Sequence, residues 1–165
     1  MIYHLPFACN IFFVKLFGMT TEEPCDTLID PLADKIGYQL RRASLAYLTH
    51  LTLAVEAFDL RIAEMTFLMF VAVNPGCSQG EVSRVLGVKR TNMVPTVTEL
   101  VKRGYLVREA ADGRTNALTL TASGMSLHAS LSEAIDGCDQ RFFGDMAPAK
   151  LEALRDALLE IRAKA

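Results

Sequence analysis

Residues 78–121 hold a set of side chains suited to gripping phosphates and reading base edges. Lys89, Arg90, Thr91, Asn92 and Thr96 lie within one amphipathic run, and Arg114 sits on a turn downstream. Lys and Arg neutralise phosphates, while Thr, Asn and Gln carry the donors and acceptors that meet base edges in a major groove. Seven Lys/Arg stand against four Asp/Glu in this stretch, a surplus of three positive charges in a chain of net charge −2. A basic island in an acidic protein is the footprint of a phosphate-binding face. The competing explanation is a solvated surface whose charges cluster by accident, and the surrounding motifs decide between the two.

Those side chains need a frame. Ser78-Gln79-Gly80-Glu81 has the S-x-x-E form of a capping box, in which Ser and Glu each satisfy a free backbone N–H at the start of a helix. A short helix is therefore predicted, ending near Leu86 with Gly87 as its stop. A second run begins around residues 89–91 and ends at Gly104. In the first helix Val82, Val85 and Leu86 face inward; in the second, Met93, Val97, Leu100 and Val101 do. That leaves Lys89, Arg90, Thr91, Asn92 and Thr96 outside, with Ser78 and Gln79 counted alongside them at the start of the first helix. Two helices joined by a short Gly-containing turn make a helix-turn-helix. Strands are predicted at 105–110 and 115–121, around Ala111-Asp112-Gly113-Arg114, where Asp-Gly suits the positive φ angles of a tight turn. Helix-turn-helix plus hairpin is a winged helix, an architecture that usually reads duplex DNA. Arg114 at the hairpin tip is placed to enter a narrow minor groove, with Asp112 orienting it or the turn.

Long helices flank this unit. Ile36, Leu40, Ala43, Tyr47, Leu51, Ala54 and Phe58 recur at spacings of three and four and predict a helix over 32–58, with Pro31 in its first turn. Residues 62–73 are apolar nearly all round and should be buried. Thr121 can cap a helix running to about Gly144, and Pro148 opens a last one striped by Leu151, Leu154, Leu158 and Ile161. The fold class is mainly α (α+β): a winged helix-turn-helix at 59–121, and a helical dimerisation region at 32–58 and 122–165. The apolar surface on those long helices exceeds what one small winged domain can cover, so an obligate homodimer is expected.

Half of the residues are hydrophobic and 22% charged, enough for a sizeable core and against disorder. Residues 1–31 read as an N-terminal extension. Residues 2–17 are apolar but too short and too interrupted to span a bilayer, and Met19 looks like a natural start. Cys9, Cys25, Cys77 and Cys138 are scattered, no C-x-x-C occurs, and His4, His50 and His128 have no paired ligand spacing, so no metal is expected. The cysteines read as free thiols in a reducing cytoplasm. No nucleophile, base and orienter combine, which argues against an enzyme, and no cofactor is implied. Tyr47, His50 and Phe67 are candidates for a small-molecule pocket between the long helices and the winged unit, with aromatic core as the competing role.

From residue 32 onward the layout resembles the MarR family of winged-helix regulators. LGVKRTNMVPTVTELVKRGYLVRE is similar to that family's recognition helix running into its wing. Asp112-Gly113-Arg114 matches its D-x-R wing tip, and Leu118-Thr119-Leu120-Thr121-Ala122-Ser123-Gly124 its L-x-L-T-x-x-G wing exit. The resemblance implies a homodimer built from the first and last helices and a pseudo-palindromic double-stranded DNA operator. It places the recognition helix in the major groove and Arg114 in the minor groove. It further implies repression released by a small aromatic or phenolic acid, or by thiol oxidation. Two positions depart from the family. Val94-Pro95 stands where a polar or basic residue is frequent, and Cys25 precedes the first helix without the motif of redox-sensing members. The alternative from another class is a dimeric winged-helix interaction module without sequence-specific DNA binding, for which Pro95 is the main support.

Overall fold

The computed structural model of the protein describes residues 28–111 and 115–164. The proposed start at Met19, the first 18 residues, Cys25 and the Asp112-Gly113-Arg114 wing tip all lie outside the described residues. Contacts divide the chain into two compact units, Met1–Gln39 and Leu40–Ala165.

In the first unit, residues 31–34 form a turn and helix α1 (Ile36–Glu56) begins after it. The expected helix start at residue 32 is therefore corrected, and Pro31 lies outside the first turn of α1. The reason is local. The Asp30 carboxylate accepts the Leu32 N–H at 3.0 Å, a side-chain mimic of a turn that competes with helix. Within the same unit the Gln39 amide donates to the Ala33 carbonyl at 2.7 Å.

The second unit carries α1 from Leu40 onward and the remaining elements: α2 (Ile62–Val73), β1 (Cys77–Ser78), α3 (Gln79–Val85), α4 (Arg90–Lys102), β2 (Leu106–Ala111), β3 (Thr115–Leu120), α5 (Ala122–Phe143) and α6 (Pro148–Arg162). α1 stops at Glu56, two residues earlier than expected, because Asp59 takes a left-handed φ of 55°. Arg103, just past α4, fastens that corner. Its guanidinium donates to the Asp59 carbonyl at 2.5 Å, pairs with the Asp59 carboxylate at 3.2 Å, and lies 5.2 Å from the Tyr105 ring centroid.

α2 is the central rod, as its all-round apolar sequence requires. Met65, Phe67, Leu68 and Val71 are buried, together with Val55, Met93, Val97, Leu100, Leu106, Leu118, Leu131 and Cys138 from the surrounding elements. One charge is buried with them. Glu64 accepts the Arg61 backbone N–H at 2.8 Å and the Arg61 guanidinium at 2.5 Å. Burial would lift the Glu64 pKa, but those bonds and the charges of Arg61 and Arg103 together hold it below its ordinary value.

The sheet has three strands in the order β1-β3-β2, all neighbours antiparallel. β2 and β3 pair from Leu106↔Leu120 to Ala111↔Thr115, which shifts the expected hairpin strands by one residue. Thr121 leaves the sheet because it has another task. Its hydroxyl accepts the Gly124 N–H at 3.0 Å and caps α5. β1 was not anticipated: two residues hold no alternating pattern to read.

The wing exit is tied to the end of α4. The Thr121 N–H donates to the Tyr105 carbonyl at 3.1 Å, and the Thr121 and Ser123 hydroxyls both donate to the Gly104 carbonyl, at 2.6 and 2.8 Å. Gly104 itself turns the chain out of α4 with φ 74°. Gly124 lies so close that a Cβ there would collide with the Tyr105 carbonyl oxygen and sit 3.4 Å from the Leu120 Cβ. Backbone cannot step aside as a flexible side chain can. Gly124→Ala is thus expected to cost about 1–3 kcal/mol of stability, the range for overpacking a filled site. Urea unfolding reads this, and an unchanged midpoint would show that α5 shifts freely.

Candidate nucleic-acid interface

The helix-turn-helix is set by its caps. The Ser78 hydroxyl accepts the Glu81 N–H at 3.2 Å, and the Ser78 N–H donates to the Glu81 carboxylate at 2.7 Å. That backbone donor holds the Glu81 pKa below its usual range. Gly87 reverses the chain with φ 67°, and Lys89 stands at the N-cap of α4. The Gln79 amide reaches across the turn to the Arg90 carbonyl at 3.1 Å, joining the start of α3 to the start of α4. Ser78 and Gln79, named as DNA-facing, are therefore half-buried residues engaged in building the motif.

Lys89, Arg90, Thr91 and Asn92 are exposed together around the first turn of α4. This end of a helix presents free N–H groups and the positive pole of its dipole, both favourable to phosphate. Thr96 is different. It is 5% exposed and belongs to the inward row Met93, Thr96, Val97 and Leu100. Its outward assignment is corrected: helical phase, three residues after Met93 and four before Leu100, overrides a polar side chain's preference for water. The outward row of α4 consists of Thr91, Val94, Pro95, Thr98 and Lys102. Thr98 went unnoticed, although its spacing of seven from Thr91 was there to be read. α4 runs through Pro95 from Arg90, the start expected around residues 89–91.

The pocket candidates separate. Phe67 is fully buried in the core, the aromatic-core role named beside the pocket. Tyr47 and His50 meet on one ring: Phe142 lies 5.4 Å from Tyr47 and 5.2 Å from His50, centroid to centroid, both edge-on. The Tyr47 hydroxyl donates to the Asp139 carboxylate at 2.6 Å, linking α1 to α5. Burial, and then that bond, push the Tyr47 pKa well above its ordinary value. Two clefts lie elsewhere. One of about 410 Å³ sits at the α1–α2 corner among Glu56, Asp59, Arg61, Glu99 and Arg103. The other, of about 470 Å³, runs between α5 and α6 along Phe143, Leu151, Leu154 and Leu158, with Arg155 and Arg162 at its edge.

Cys77 and Cys138 are free, and burial raises both thiol pKa values, a direction that disfavours the nucleophilic thiolate. Among the described residues no group of three or more His, Cys, Asp or Glu is placed to hold a metal, and no helix is long and apolar enough to cross a membrane.

Comparison with known proteins agrees with this geometry. A MarR family model matches residues 58–115, the span from the α1–α2 corner to the start of β3. A putative transcriptional regulatory protein for the hcr operon of Thauera aromatica is 26% identical over 122 residues, covering 72% of this chain and 74% of that one. CouR from Rhodococcus jostii RHA1, solved bound to p-coumaroyl-CoA, is 25% identical with a TM-score of 0.71, covering 81% of this chain and 95% of its own. A Mycobacterium tuberculosis MarR family protein solved in complex with DNA shares the fold: TM-score 0.65, 21% identity, 76% of this chain and 96% of that one. Motif, fold and relatives converge on the MarR family of winged helix-turn-helix transcriptional regulators, whose model residues 58–115 match.

Proposed function

We propose that the protein is a dimeric, ligand-responsive DNA-binding regulator. It acts as a repressor released from a pseudo-palindromic operator by a small aromatic ligand. The observation that carries this reading is the exposed row Lys89, Arg90, Thr91 and Asn92 at the start of α4. Cationic and amide donors there can hold phosphates while the helix enters the major groove. The p-coumaroyl-CoA complex of CouR and the DNA complex of the Mycobacterium tuberculosis protein support ligand and operator as the two partners. A cytoplasmic location fits that role. The polar join of Tyr47 to Asp139 lets a change at α1 reach α5 and the wing exit whose Thr121 caps it. Nothing in this mechanism calls for catalysis.

Selection of bound duplexes from a random pool, repeated with p-coumarate and its thioester present, tests the reading. A palindromic consensus, weakened by one of those compounds, is expected. Salt-dependent binding without any preferred sequence would instead favour a winged-helix interaction module, the reading that exposed Pro95 in the middle of α4 supports.

Arg114 remains part of the proposed site. Arg114→Ala is expected to weaken operator binding by about 1–3 kcal/mol and to reduce the salt slope by about one. Affinity across a salt series measures both, and equal slopes for the two proteins would remove Arg114 from the interface.

A further inference from the structure

The middle of the α4 outward row carries no charge. Thr91, Val94, Pro95 and Thr98 are exposed, and each presents methyl or ring carbons. At about 100° per residue these four positions and Lys102 fall within a sector of roughly 100°, so they form one stripe along the helix. Cations bracket it: Lys89 and Arg90 at one end, and Lys102, its side chain 77% exposed, at the other. An exposed apolar strip between cations complements a surface that is apolar in the middle and anionic on both sides. The major groove over A·T pairs has that character, because thymine alone among the four bases projects a 5-methyl group there, between the two phosphate strands.

We infer that Thr91, Val94, Pro95 and Thr98 recognise thymine 5-methyl groups, so that methyl contact specifies the centre of each half-site. This rests on the DNA-binding reading above. Val94 and Pro95 end in carbon and cannot hydrogen-bond a base edge through their side chains. They can cover a methyl and take it out of water, which discriminates thymine from cytosine at the same pyrimidine position. Pro95 adds a rigid ring with no rotamers to freeze on contact. The burial of Thr96 strengthens the assignment, since it removes the one polar side chain that the sequence placed near the centre of this face.

The test replaces thymine by uracil, which pairs identically and lacks only the methyl. A duplex selected from a random pool is remade with single uracils at each thymine of the half-site, and affinity is measured for wild type, Val94→Ser and Thr98→Ser. Each contacted methyl should contribute about fourfold in affinity, the equivalent of ~0.8 kcal/mol for one buried methylene. In Val94→Ser and Thr98→Ser that penalty should disappear at one position each. Both substitutions lie on the exposed face, and an unchanged unfolding midpoint would confirm an intact fold. Sequence-specific binding that is indifferent to uracil throughout would overturn the methyl assignment and leave the regulator reading standing. Uracil penalties that persist unchanged in both variants would overturn the assignment to these residues. Failure of the pool to yield any preferred sequence would overturn both readings together.

Discussion

Leu158→Asp is expected to turn a dimer into a monomer at micromolar concentration. No residue of α6 is buried within the protomer, and Leu154, Leu158, Leu159 and Ile161 are 37%, 39%, 55% and 44% exposed. Leu40, Leu45 and Leu48 on α1 are similarly open. Exposed apolar helix faces of this kind mark an interaction site, and in the proposed dimer a second copy supplies the matching faces. Burying one leucine contributes about 1.5–3 kcal/mol. A two-fold interface carries every substitution twice, so the loss is about 3–6 kcal/mol, roughly two to four decades in Kd. Sedimentation velocity over a dilution series measures it. A variant that associates as tightly as wild type would remove α6 from the interface, and a monomeric wild type would refute the dimer itself.

Pro95→Ala is expected to stabilise the protein. Pro95 stands inside a continuous helix, five residues after Arg90, where its missing N–H leaves the Thr91 carbonyl without its partner one turn on. An interior proline costs up to about 3 kcal/mol relative to alanine. For a chain of this size that corresponds to a rise of about 6–12 °C in Tm, read at fixed protein concentration because dimerisation also moves Tm. Pro95 is exposed, so alanine leaves no cavity to offset the gain. The preferred operator should change at the position the ring covers. An unaltered Tm would mean that α4 accommodates the proline without loss.

Legibility in the sequence followed the range of the forces involved. Ser78 and Thr121 announce their helices because capping is local chemistry, complete within four residues of chain. The wing was readable for the same reason, since Asp112-Gly113 is a turn signal carried by adjacent residues. Thr96 defeats a reading by residue chemistry alone, because helical phase turns this polar side chain inward. Buried Glu64 and the Arg103–Asp59 bridge left no trace at sequence level. Arg103 lies 44 residues from Asp59, and only the folded chain brings them together. At residue 32 a helical apolar rhythm was present, but the Asp30 carboxylate had already turned the backbone.

The bonds that gather Gly104, Tyr105, Thr121 and Ser123 have a further consequence. They weld the end of α4 to the root of the hairpin, and Gly124 closes the weld from the other side. Helix and wing then behave as the two jaws of a caliper with a seized hinge. On the proposed reading of DNA, the spacing between α4 and the root of the wing becomes a property of the protein and not of the operator. A duplex with one base pair inserted between the major-groove and minor-groove contacts must twist or lose a jaw. Its affinity should fall even when every contacted base is retained, and gel-shift titration of such spaced duplexes would show a tolerant hinge if it did not.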